Sequence, residues 1–71
     1  MGENIFCRTV HFRFERETPG AVLYQETDAN GHDLKADTEG TVIRTLYVRK
    51  RQLNGAIPKH IRADIYEWIK V

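Results

Sequence analysis

Leu53-Asn54-Gly55-Ala56-Ile57-Pro58-Lys59-His60-Ile61-Arg62-Ala63-Asp64-Ile65-Tyr66-Glu67-Trp68-Ile69 decides the fold, because two templates fit it and each builds a different protein. Asn54-Gly55 is among the strongest short hairpin signals. Pairing Leu53 with Ala56 then aligns Val48 with Ile61 and Leu46 with Ala63 on one face, and Tyr47 with Arg62 and Ile43 with Tyr66 on the other. Against this strand, Ile57, Ile61, Ile65, Trp68 and Ile69 follow helical spacing, with Pro58 at a suitable first helical position. The hairpin register also opposes Lys50 to Lys59, which repel. Capping chemistry favours the strand: a helix starting here would have Ile57 as its cap and Lys59, His60 and Arg62 near the positive end of its dipole.

Upstream, residues 41–50 read as a strand, with Val42, Leu46 and Val48 on one face and Ile43, Thr45 and Tyr47 on the other. Before it, residues 28–40 are rich in Asp, Asn, Gly, Thr and Glu, with Leu34 the one large apolar residue, which predicts an exposed, mobile loop. Residues 5–16 alternate with period two, placing Phe6, Val10, Phe12 and Phe14 on the core side and Thr9, His11, Arg13 and Glu15 outward. Pro19-Gly20 supplies a turn, with Gly20 at a position that calls for positive φ, and residues 21–28 return antiparallel. With Thr18 facing Ala21, Arg13 lies opposite Glu26 and His11 opposite Asp28.

The expected fold is therefore mainly β, a small antiparallel four-stranded sheet with strands near 5–16, 21–28, 41–50 and 60–68. Its inward face is Phe6, Val10, Phe12, Phe14, Leu46, Val48, Ile61 and Ile65. The alternative is an α+β domain, a C-terminal helix on three strands. Seventy-one residues leave room for a single small domain spanning 1–71. With 41% hydrophobic and 30% charged residues the composition is globular, and no apolar run approaches the roughly 20 residues of a membrane-spanning helix. A soluble protein with no membrane partner is expected. Cys7 is the one cysteine and no secretory leader is visible, so a cytoplasmic location is expected.

The net charge of +1 conceals a separation along the chain. Arg44, Arg49, Lys50, Arg51, Lys59 and Arg62 form a segment without acids, whereas Glu26, Asp28, Asp33, Asp37 and Glu39 share theirs with Lys35 alone. Phosphates need cations and unpaired bases stack on flat rings. The hairpin would gather these bases with Tyr47 and Tyr66 on one sheet face. The candidate nucleic-acid-binding residues are thus Arg44, Tyr47, Arg49, Lys50, Arg51, Lys59, Arg62 and Tyr66, acting on single-stranded DNA or RNA.

The bland reading is a solvated sheet whose basic strip is neutralised by the acidic loop. A third class is a homodimeric protein-interaction module, since Ile43, Tyr47, Tyr66 and Trp68 would otherwise remain exposed. Metal binding is not expected, because His11, His32 and His60 lack ligand spacing, and the residues from Asp28 to Asp33 carry the wrong acid pattern for a calcium loop. Cys7 and His11 lie about 13 Å apart on an extended strand, too far to cooperate. No cofactor and no catalysis are expected.

Gly55-Ala56-Ile57-Pro58-Lys59-His60-Ile61-Arg62 resembles a fragment of the signature of AbrB-type transcription factors and related antitoxins, in which a Gly precedes Ile-Pro-Lys-x-Ile-Arg. The family's glycine lies further from the proline. Membership would imply a swapped-hairpin dimer contacting DNA, with Lys59 and Arg62 at the matching positions. The fold expected from the residues themselves is the four-stranded sheet above.

Overall fold

A computed structural model describes residues 2–35 and 38–70 of the chain. It is mainly β: β1 is Gly2–Glu17, β2 Ala21–Thr27, β3 Thr45–Arg49 and β4 His60–Lys70, with one 3-10 turn at Lys50–Gln52. All pairings are antiparallel, and the four strands make one curled sheet in the order β3-β2-β1-β4. The C-terminal segment is a strand, in keeping with its capping chemistry.

Its partner, however, is β1 and not β3. Asn54-Gly55 does not close a hairpin: β3 and β4 lie on opposite edges of the sheet, so Tyr47 does not face Arg62 and Ile43 does not face Tyr66. The physical reason is length. β1 has 16 residues, and β2 reaches only its C-terminal half, from His11 to Glu17. The other half needs a ladder, and β4 supplies one from Gly2↔Lys70 to Arg13↔His60. This pairing also removes the Lys50–Lys59 repulsion. It sets Ile61 against Phe12 and Ala63 against Val10, and the Thr9 hydroxyl donates to Asp64 Oδ1 at 2.8 Å.

Two bulges in β1 explain the other departures. One at Glu15 shifts the β1–β2 register by a residue, so Arg13 faces Gln25 rather than Glu26, and His11 faces Thr27 rather than Asp28. The Thr18–Ala21 closure stands, with the Thr18 N–H donating to the Ala21 carbonyl at 2.8 Å. Gly20 is not among the positive-φ residues, so the turn lacks the expected type II geometry, and the bulge supplies the extra twist that the hairpin needs. The second bulge, at Cys7, reverses the alternation before it. Phe6 therefore leaves the expected inward face and is 53% exposed, edge-on to Tyr66 with ring centroids 5.5 Å apart.

The core is Val10, Phe12, Val22 and Tyr24, with Phe14, Leu46, Val48, Leu53, Ile61, Ala63 and Ile65 packed around it. The segment joining β3 to β4 crosses over this face, where Leu53 packs against the core and the Tyr24 hydroxyl donates to the Pro58 carbonyl at 2.9 Å.

The expected strand from 41 begins only at Thr45, because residues 42–44 wrap the buried Glu26 side chain. Its carboxylate accepts main-chain N–H groups from Val42 (3.1 and 3.0 Å), Ile43 (2.7 Å) and Arg44 (2.6 Å). Successive N–H groups converging on an anion make a nest. Arg44 turns to φ 77° to complete it, a conformation that costs a non-glycine residue about 1–2 kcal/mol.

Candidate interaction surface

The sheet splits the sequence-predicted residues into two groups. Tyr47 and Arg49 lie on the outer face of β3, opposite Leu23 and Ala21, and Arg16 joins them across Leu23 from β1. Lys50 and Arg51 follow at the same end, lining a shallow depression with Gly20 and Arg49. Lys50 is bound to Glu17 at 2.9 Å. Arg62 and Tyr66 lie on the outer face of β4, beside His11 and Phe6. Lys59 sits at the entry to β4, where its carbonyl accepts from the Phe14 N–H at 2.8 Å, and Arg44 belongs to the Glu26 nest.

Tyr47 and Tyr66 therefore occupy opposite corners. Their neighbours on β1, Arg16 and Phe6, are separated by roughly 30 Å at about 3.3 Å per residue. The longest dimension of the protein is 39 Å. The cations and rings expected on one surface are not gathered there.

The acidic loop lies between these corners. Asp28 Oδ1 accepts the N–H groups of Asn30 and His32, each at 2.9 Å, which makes 28–32 a tight turn. Thr27 and Asp33 then bridge, and Gln25 donates from its side chain to the Leu34 carbonyl at 2.8 Å. Arg13 clamps Asp33 through Nε (2.6 Å) and the second guanidinium nitrogen (2.8 Å), and also reaches Glu15 at 3.0 Å. Asp33 is thus neutralised by Arg13 of β1, and among the described residues no ion pair joins the loop to the basic segment. Residues 36 and 37, including the acidic Asp37, lie outside the described residues.

These contacts act on ionisation. The hydrogen bond from Arg13 holds the Asp33 carboxyl below the ordinary 3.8, helped by the Arg13 and Lys35 charges and opposed by burial. The His32 N–H, foremost, does the same for Asp28. A carboxyl lowered on folding contributes stability at pH values above its unfolded value, and that stability is lost as pH falls through the folded value. Carboxyl titration by NMR should place both midpoints below 3.8, and Arg13→Ala should return that of Asp33 towards it. A midpoint for Asp33 unchanged by the substitution would contradict the clamp.

A further apolar surface lies elsewhere. Beyond the end of β2, residues 2–10 of β1 pair with β4 alone, so the two strands continue as a two-stranded ribbon. Phe6, Tyr66 and Trp68 are exposed on one face of the ribbon and Ile5 and Ile69 on the other, with Trp68 64% exposed. The Trp68 indole lies over Gly2 so closely that a Cβ there would collide with it. Two strands alone are marginal in water, and an exposed apolar patch on such a ribbon is a surface suited to a partner.

Its two edges differ. The free β1 edge is interrupted by the bulge at Cys7, a device that protects edges, whereas β4 runs eleven residues without a bulge or proline. Sequence reasoning missed this ribbon because it extended one alternation through Cys7. The adjacent apolar pair Ile5-Phe6, which satisfies either parity, was the available trace.

Among the described residues no group of three or more His, Cys, Asp or Glu side chains could hold a metal ion, and no helix is long and apolar enough to cross a membrane. Comparison with protein-family models, with curated proteins and with solved structures finds no match to this chain.

Proposed function

We propose that the protein is a non-catalytic binding module that takes up a β-strand along the outer edge of β4. The observation that carries this reading is the regular eleven-residue edge of β4, unpaired among the described residues, beside the exposed rings of Phe6, Tyr66 and Trp68. Strand addition draws affinity from main-chain hydrogen bonds and specificity from alternate side chains, and it needs no enclosed pocket. Phe14 N–H donates to Lys59 O, so by the alternation of an antiparallel ladder Ile61, Ala63 and Ile65 turn their main-chain groups to β1. His60, Arg62, Asp64 and Tyr66 then turn theirs outward.

This alternation gives a selective test. Arg62→Pro removes an outward N–H without deleting a β1–β4 hydrogen bond. Trp68 is the one tryptophan, so its emission should shift when the dilute protein is titrated with synthetic extended peptides, including one copying residues 59–67. The variant should lose the shift while keeping its circular dichroism. Equal responses from wild type and variant would remove strand addition from the reading.

A second reading is carried by the basic end. Arg16, Arg49, Lys50 and Arg51 lie together there, with Tyr47 on the same outer face as Arg49. This group supports contact with the phosphates of single-stranded DNA or RNA on a smaller footprint than eight residues. A labelled oligonucleotide titrated at ~50 and ~200 mM salt should show a steep loss of affinity, and Arg49→Ala with Arg51→Ala should each reduce the salt slope by about one. Salt-insensitive signals would remove this reading.

A further inference from the structure

Resting on the proposal that the β4 edge takes up a strand, we infer that this edge pairs with the β4 of a second copy of this chain, antiparallel, about a two-fold axis through Ala63.

Register singles out that axis. Two copies of a strand related by a two-fold axis normal to the sheet place residue i opposite residue j with a constant, even sum, so each arrangement is defined by the residue on the axis. Centring on Arg62, Asp64 or Glu67 puts like charges face to face on the axis. Centring on Ile65 or Tyr66 leaves Asp64 against an aromatic ring and Glu67 against Ala63 or Ile65. Centring on Ala63 does neither. Lys59 then faces Glu67, His60 faces Tyr66, Ile61 faces Ile65 and Arg62 faces Asp64, each pair occurring twice. Among the centres from Arg62 to Glu67, this is the arrangement that matches every charged side chain of 59–67 with its opposite.

The geometry of the single chain agrees with that register. In it the outward residues His60, Arg62, Asp64 and Tyr66 meet one another, so their free N–H and C=O groups exchange about eight main-chain hydrogen bonds. Ala63 falls at a pair that exchanges none, where side chains approach most closely, and it is the smallest side chain of β4. Ile61, Ala63 and Ile65 already border the core, so the Ile61–Ile65 contacts would extend that core into the second copy. On the other face Arg62 lies 3.4 Å from Asp64 within one chain, and Asp64 accepts from Thr9. Pairing would turn this single contact into a four-charge network across the axis. The result is one continuous eight-stranded sheet, β3-β2-β1-β4-β4-β1-β2-β3, with the aromatic ribbons pointing in opposite directions.

Charge exchange and cross-linking test it together. Arg62→Glu and Asp64→Arg should each weaken the dimer at least tenfold in sedimentation equilibrium, because each creates two like-charge pairs across the axis. The double exchange should restore it. In a Cys7→Ser background, Ala63→Cys should form an intermolecular disulfide under mild oxidation, whereas Ile65→Cys should not, since position 65 faces position 61. A dimer that survives both single exchanges and fails to cross-link at 63 would overturn the register while leaving strand addition standing. A protein that stays monomeric at ~100 μM, yet still gives the peptide response abolished by Arg62→Pro, would overturn the second copy as partner. Circular dichroism of each variant separates these outcomes from loss of the fold.

Discussion

Replacing Glu26 with alanine is expected to cost about 3 kcal/mol of unfolding free energy, taking about 1 kcal/mol for each of the three main-chain donors that lose a charged acceptor. For a domain of this length that corresponds to a Tm lower by more than ~12 °C. Glu26 is 2% exposed, so solvent cannot reach the nest easily when the carboxylate is gone. Residues 42–44 then keep only the main-chain bond from the Glu26 N–H to the Arg44 carbonyl to hold φ 77° at Arg44, and the entry to β3 should loosen with them. Glu26→Gln separates charge from shape. Its oxygen can still accept from Ile43 and Arg44, which meet Oε1, but its amide would point a donor at the Val42 N–H. About half the loss is expected. Thermal unfolding followed by circular dichroism measures both, and a Tm within ~2 °C of wild type for Glu26→Ala would show that the carboxylate does not hold the loop.

Tyr24→Ala is expected to cost about 3–5 kcal/mol, the range for removing a large buried ring. Tyr24 is fully buried at the centre of β2 and packs with Val10, Phe12 and Val22. Tyr24→Phe keeps the ring and removes the hydrogen bond to Pro58, so about 1 kcal/mol is expected from it. The smaller variant also tests the crossover, because that bond anchors the segment between β3 and β4. Amide exchange at residues 53–57 should quicken in Tyr24→Phe without global unfolding. If it does not, packing of Leu53 alone holds the segment.

Much of the fold was legible because period two is a local property. The alternation of Val10, Phe12 and Phe14 and the strand of Ile61, Ala63 and Ile65 appear where the pattern put them, whereas Val22 and Tyr24, absent from the expected inward face, are central to the core, with Tyr24 set opposite Phe14 by the bulge at Glu15. Partnership was not local. Asn54-Gly55 is a strong turn signal read on its own, and Gly55 does adopt φ 83°, but turn chemistry does not choose which strand lies alongside. The unpaired length of β1 made that choice. The bulge at Glu15 was likewise invisible and that at Cys7 left only the pair Ile5-Phe6 as a trace, yet a single added residue changes which face every residue beyond it occupies. The candidate surface inherited both errors. Tyr47 and Arg62 were placed side by side by a pairing that the protein does not make, whereas Arg16 was overlooked because it reaches the basic end only through the shifted register.

The β1–β4 ladder also has a kinetic consequence. It is the longest in the sheet, and it joins residues as far apart in the chain as Gly2 and Lys70. Loops of that size close slowly, and domains rich in such distant pairings sit at the slow end of two-state folding. The hairpin of β1 and β2 can assemble early around Phe12 and Tyr24, but residues 2–10 must wait, as a bare strand, until β4 has been synthesised. During that interval a nascent chain offers neighbouring ribosome products a template for misassembly. The docking of β4 ends that exposure.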